Sequence, residues 1–501
     1  MRQFIHRVRP RLLVLALVAS GSLGLFAWAA TAGDQTIDPA EEKAGGDTTV
    51  YEVGRNAFSF PAANIDEAGR TTFAIGNSFF RRNWVEAPSS TTARDGLGPH
   101  FLARSCGGCH VQDGRGAPPG TLKNGLATEQ PIALLFRLSV MDANGKPRPE
   151  PTYGHQFTVA AAQDVKPEGK VRIRYTEVAG KFADGTRYSL RKPSYTFTDL
   201  GYGPMDPKTM VSPRIAPQMI GMGLIEAIDA QDIERNAQEQ AARNDAIKGM
   251  ANRVFDVYAN RTVIGRFGWK ANAGSVAHQT ASAFNGDIGI TSEHFPQEEC
   301  MPRQTDCAAA PRGNSAVLAT SATVASAATA ARAGTAPKGT PVEIDNATLE
   351  KVIAYTATLA VPARRNFNDL DVRRGQALFA QAQCAVCHKP AYTTGESRFP
   401  ALAKQKIHPY TDLLLHDMGP GLADGRPDEL ASGQQWRTPP LWGIGLVPDV
   451  NDHSFLLHDG RARNSLEAIL WHGGEAEASR QLVLKMKRSE RDALVKFVNS
   501  L

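Results

Sequence analysis

Apolar and polar positions recur along this chain on two periods, and each period predicts a different element. Leu494, Phe497, Val498 and Leu501 fall at i, i+3, i+4 and i+7, one apolar face of a terminal helix. Ser489 with Asp492 resembles a capping box at its start, with Asp in the usual place of Glu. Residues 371–380 read as a second helix carrying Gly375, Leu378 and Phe379, and a third is expected near residues 229–257. Gly76, Phe79 and Phe80 repeat the glycine-then-aromatic spacing far upstream, followed by a polar insertion at residues 88–92. In between the period shortens to two. Residues 171–175 alternate apolar and polar, Asp184-Gly185 supplies a turn, and residues 187–190 resume, a hairpin signal. Residues 33–50 are polar and acidic and read as a loose lead-in. Residues 308–336 are rich in Ala, Thr and Ser without an apolar face, which favours a surface loop or linker.

One run fits neither period. Residues 12–28 are mostly apolar, preceded by Arg2, Arg7, Arg9 and Arg11 and followed by Ala27-Trp28-Ala29 and Ala30-Thr31-Ala32. A basic start, an apolar middle and small residues at the end describe an export signal over residues 1–32. It predicts a periplasmic protein with no stable membrane span after cleavage. An uncleaved anchor is the alternative, since 17 residues lie near the lower limit for a span. The signal also changes the charge balance. The chain has 56 basic and 51 acidic residues, and losing four arginines brings the two close to equality, so nothing favours nucleic acid as a partner. At 501 residues there is room for two or three domains.

The six cysteines bring in the chemistry. Cys106-Gly107-Gly108-Cys109-His110 and Cys384-Ala385-Val386-Cys387-His388 are two copies of C-x-x-C-H, the attachment signature of c-type haem. Two thiols at this spacing can each bind one vinyl group of a porphyrin, and the adjoining imidazole, His110 or His388, can ligate the iron from below. A redox dithiol or half a zinc site would not call for His after both pairs. Cys300 and Cys307 lack that pattern and are expected to form a disulfide across a short loop.

On this basis the fold is expected to be mainly α. Two cytochrome c-like haem domains are predicted, the N-terminal one enlarged with β-hairpin insertions over residues 51–307. A low-complexity linker and connecting helix follow at 308–364, then a C-terminal cytochrome c domain at 365–501.

Several blocks carry a family pattern. They are Gly96-Leu97-Gly98-Pro99 with Asp113-Gly114-Arg115-Gly116; Val211-Ser212-Pro213-Arg214-Ile215-Ala216-Pro217; Gly265-Arg266-Phe267-Gly268-Trp269 with Gly286-Asp287-Ile288-Gly289; and His416-Asp417-Met418-Gly419, Arg437-Thr438-Pro439-Pro440 and His458-Asp459-Gly460-Arg461. From about Gly76 to the end, the chain resembles the di-haem oxidoreductase family, a branch of the bacterial di-haem cytochrome c peroxidases and MauG. The resemblance implies electron entry at the C-terminal haem from a small donor such as a cytochrome c or cupredoxin, and reduction of hydrogen peroxide at the N-terminal haem. It leaves room for calcium near residues 438–440 and a tryptophan between the haems. Where relatives place a ligating methionine before His-Asp-Gly, this chain has Leu457, which cannot bind iron.

Met418 therefore leads the candidates for the sixth ligand of the second haem, because a thioether raises the potential of such a site. His416, His453, His458 and His472 are the others, beside a five-coordinate iron. Near the first haem the candidates are Met219, Met222 and His155. Peroxide cleavage needs a distal acid–base group, and His472 with Glu475 form a candidate pair. Trp269, Trp442 and Trp471 are candidates to pack on a porphyrin or carry a radical. Two other functions fit the same motifs: a non-enzymatic electron-transfer cytochrome, and a MauG-like oxidase or oxygenase acting on an organic or protein substrate.

Overall fold

Aspartates start the helices that matter most here. Asp66, Asp345 and Asp369 each turn a carboxylate onto free N–H groups of the first turn, opening Glu67–Arg81, Asn346–Ala357 and Leu370–Gln381. The terminal helix Arg488–Val498 begins a residue before the expected Ser489. Lys487 is its N-cap and Glu490 accepts from the Lys487 N–H at 2.8 Å. These helices cross in two pairs, each through a glycine. A Cβ at Gly375 would lie 2.0 Å from the Ala493 carbonyl oxygen, and one at Gly76 would lie 2.1 Å from that of Lys351. So Leu370–Gln381 packs directly on Arg488–Val498, and Glu67–Arg81 on Asn346–Ala357, the segment read from sequence as a connecting helix. Gly375→Ala is expected to lower the unfolding free energy by about 3 kcal/mol, because the backbones cannot part without opening the core. A denaturant midpoint equal to wild type would show that the crossing is not tight.

The expectation of a mainly α fold is corrected. This computed structural model, which describes residues 39–313 and 342–501, is 30% helical and 20% strand with many sheets. The hairpin is longer than its sequence signal: Lys170–Lys181 pairs with Arg187–Thr198 in register throughout. Two short strands extend it to a four-stranded sheet. A second sheet centres on Leu134–Met141, flanked by Met210–Ile215 and Gln156–Phe157. Alternation explains both. Val171, Ile173 and Tyr175 are buried from one face, as are Leu134, Phe136 and Leu138. The helix expected over residues 229–257 stops at Ala241 (Ala230–Ala241), and Arg253–Asp256 is a strand paired with Arg261–Ile264.

Residues 39–50 are packed rather than loose. Ala44, Thr48 and Thr49 are buried, and Arg364 bonds Glu41. Residues Pro39–Leu501 form one unit. Its largest apolar cluster draws on both halves of the sequence, from Phe58 and Phe80 to Trp442 and Val450. Cys300 and Cys307 are disulfide-bonded, their Cα atoms 5.7 Å apart. The predicted signal and residues 314–341 of the predicted linker lie outside the described residues. Among those described, no helix is long and apolar enough to cross a membrane.

Candidate functional site

Each C-x-x-C-H motif folds as a single turn. His110 N–H bonds the Cys106 carbonyl and His388 N–H bonds that of Cys384, both at 2.9 Å. The spacing i, i+3, i+4 thus sets two thiols and an imidazole on one face. Phe80 and Phe379, each four residues beyond the crossing glycine, bring their rings to 6.2 Å and 6.1 Å from His110 and His388. One cavity is lined by both motifs.

The two histidines are prepared alike. His110 donates from Nδ1 to the Pro217 carbonyl at 2.7 Å, and His388 from Nδ1 to that of Tyr410 at 3.0 Å. This fixes the tautomer and leaves Nε2 as the ligating atom. Burial pushes both rings below the usual histidine range, His388 to about 4, so both are neutral as a ligand must be. The four motif cysteines are free thiols while Cys300 and Cys307 are bonded. Burial pushes Cys106 and Cys384 up to about 12 and raises Cys109 and Cys387 as well. A redox dithiol requires the opposite, a lowered thiol pKa.

The other candidates separate. Met219, Met222, Met418, His416, His458 and His472 line the cavity with Trp269 and Trp442; His155, His453 and Trp471 are not among its lining residues. His453 instead donates to the Arg115 carbonyl at 2.9 Å. His458 is buried and donates from Nδ1 to the Pro213 carbonyl at 2.9 Å, its ring stacked 3.8 Å from Trp436 and its Nε2 without a partner. The strand-end segment from Pro213 to Pro217 therefore anchors both His458 and His110. Glu475 does not meet His472. It accepts from His416 Nδ1 at 2.7 Å, while Asp412 accepts from His416 Nε2 at 2.8 Å. Burial opposes a charge on His416, but the two carboxylates overrule it and hold the ring protonated well above the usual range. With both nitrogens engaged, His416 has no lone pair for iron.

Three buried arginines on the cavity wall escaped the sequence reading. Arg115 bonds the Phe455 and Leu457 carbonyls, Arg266 those of Ile225 and Ile228, and Arg437 those of Gly268 and Thr438. None has an ion-pair partner among the described residues. Burial pushes Arg115 and Arg437 down to about 10, which leaves them charged at neutral pH. Carboxylates act on them only without direct pairing, Asp459 on Arg115, Glu226 and Asp229 on Arg266, and Asp412 on Arg437, and a ligand bearing carboxylates could pair with them directly. Asp287 also lines the cavity, near enough to Cys106, Cys109 and His110 to act on all three electrostatically. Gln156 donates to it at 3.0 Å. All four residues sit in the sequence blocks quoted above. Nothing in those blocks told a site residue from a packing one.

These residues fit a haem at each motif: paired free thiols, an anchored imidazole with Nε2 open, apolar walls, and unpaired guanidiniums for the acidic groups of the porphyrin. They do not fit calcium at Thr438. Its carbonyl already accepts from the Thr411 hydroxyl at 2.6 Å and from Arg437 at 3.0 Å, and a guanidinium there repels a cation.

A family model described as "Di-haem oxidoreductase, putative peroxidase" matches residues 39–501. No curated protein and no solved structure matches the chain.

Proposed function

We propose, for a chain that belongs to this di-haem oxidoreductase family, a peroxidase-like activity in the periplasm with two covalently held c-type haems. Electrons from a small donor protein, a cytochrome c or cupredoxin, enter at the Cys384–His388 site, and hydrogen peroxide is reduced at the Cys106–His110 site. The observation that carries this reading is the duplicated arrangement on one cavity, two free thiols beside a neutral, Nδ1-anchored histidine. Haem supplies the redox chemistry when bound. The chain's own residues hold and orient it. The Pro217 and Tyr410 carbonyls fix the proximal rings, and Arg115, Arg266 and Arg437 meet carboxylates inside the cavity. Asp287, a carboxylate on the cavity wall restrained by Gln156 at 3.0 Å, is the group proposed to hold a proton for the oxygen atoms of peroxide. A helix N-terminus or metal is not needed for that role, since a positioned carboxylate suffices for general acid–base work.

The test is turnover of hydrogen peroxide by the haem-loaded protein with a reduced cytochrome c as donor, before and after pre-reduction of one haem. Rapid turnover that depends on pre-reduction, and falls by about 10²–10⁴-fold in Asp287→Asn, is expected. No turnover in either state would overturn the peroxidase reading in favour of an electron carrier or an oxidase with another substrate.

A further inference from the structure

The rings of His472 and His388 are neighbours on the wall of one cavity. Their centroids are 6.5 Å apart and the planes are inclined by 47°. His472 follows the helix Ser465–Trp471 as its C-cap, and its Nδ1 donates to the Ala468 carbonyl at 2.7 Å. It is therefore anchored as His388, His110 and His458 are, with Nε2 left as the ligating nitrogen. His388 and His472 both line the cavity with Cys384 and Cys387. Two metal–imidazole bonds of about 2 Å each, with roughly 1 Å from each ring centre to its Nε2, span about 6 Å. The observed 6.5 Å separation is long enough to hold one metal ion between the two Nε2 atoms.

We infer that His472 is the second axial ligand of the haem held by Cys384, Cys387 and His388, so that this site is bis-histidine. The inference rests on the proposed haem attachment at that motif, but not on peroxidase activity. It accounts for Leu457, since a ligand drawn from the end of the Ser465–Trp471 helix makes a methionine before His458 unnecessary. The competing residues are placed otherwise. His416 has both nitrogens on carboxylates. His458 is stacked on Trp436, and no ring contact joins it to His388 among the described residues. Met418 lines the cavity but packs in the cluster of Trp269, Trp436 and Trp471. A site without a thioether ligand lacks the feature that raises the potential of a c-type haem.

The experiment is low-temperature electron paramagnetic resonance and near-infrared magnetic circular dichroism on the full, haem-loaded protein. Wild type, His472→Ala and Met418→Ala are compared, with covalent haem counted in each by pyridine haemochrome. Wild type is expected to show a low-spin C-terminal haem with the signature of two nitrogen ligands. His472→Ala should keep both covalent haems, convert one to high spin, and return to low spin when imidazole is added; Met418→Ala should leave the spectrum unchanged. A methionine-to-iron charge-transfer band in wild type, or a low-spin signal kept by His472→Ala and lost in Met418→Ala, would overturn it. Should His472→Ala lose haem, His472→Met decides: conversion of a bis-nitrogen spectrum to a nitrogen–sulfur one supports the ligand, and an unchanged spectrum overturns it. The peroxide assay reads a different property, so failure of the peroxidase proposal leaves these outcomes intact.

Discussion

Replacing His388 by alanine is expected to leave two covalent haems on the protein, since Cys384 and Cys387 remain, while abolishing the normal reduction of one and cutting donor-dependent peroxide turnover by at least about 100-fold. The lower bound follows from metal sites in which loss of a residue merely supporting a ligand already costs about 10–100-fold. Here the ligand itself is lost, and the cavity offers no replacement in the same position: the Tyr410 carbonyl that holds His388 at 3.0 Å is left facing a void. Haem staining of the denatured chain and a redox titration of the native protein read the two halves separately. Unchanged reduction of both haems would remove His388 from the iron, and loss of the haem itself would show that the imidazole is needed for attachment.

The second large effect concerns stability and its dependence on pH. His416 is buried between Asp412 and Glu475. Replacing it with asparagine leaves two carboxylates facing each other out of water, at an expected cost of about 3–5 kcal/mol at pH 6. The sign with pH follows from linkage. His416 binds its proton more tightly folded than unfolded, so its contribution is fully present below the unfolded value of about 6.5. It declines as pH rises from there through the elevated folded value. Urea midpoints of wild type and His416→Asn should therefore be far apart at pH 6 and converge on raising the pH. Parallel curves would mean that His416 is neutral in the folded protein. Because Cys387 Sγ lies 3.7 Å from the same ring, the variant should also disturb the spectrum of the C-terminal haem.

What was legible in the sequence was local. The C-x-x-C-H spacing encodes its own geometry, because one helical turn suffices to gather two thiols and a histidine. The terminal helix announced its face through Leu494, Phe497 and Val498, all buried, and the long hairpin announced itself through its alternation and the Asp184-Gly185 turn. The family followed from blocks in fixed order, and its model covers residues 39–501. The strand content was underestimated because only one hairpin had a clean signal. The sheet around Leu134–Met141 is held by partners distant in sequence, which alternation in a single strand cannot name.

The tertiary structure alone decided the rest. Gly76 could be seen to matter, but its packing partner, the helix Asn346–Ala357, lies beyond a low-complexity stretch and carries no mark of the pairing. His472 and Glu475 stand close together in sequence, yet the chain turns at Gly473-Gly474 and sends them to different neighbours, His472 to within 6.5 Å of the His388 ring and Glu475 onto His416. Arg115, Arg266 and Arg437 look like any arginines until the fold buries them on the cavity wall with no direct ion pair. Chemistry confined to one turn is readable because the backbone fixes it. A ligand pair or a buried charge is defined by what lies across a cavity, and long-range packing sets that distance.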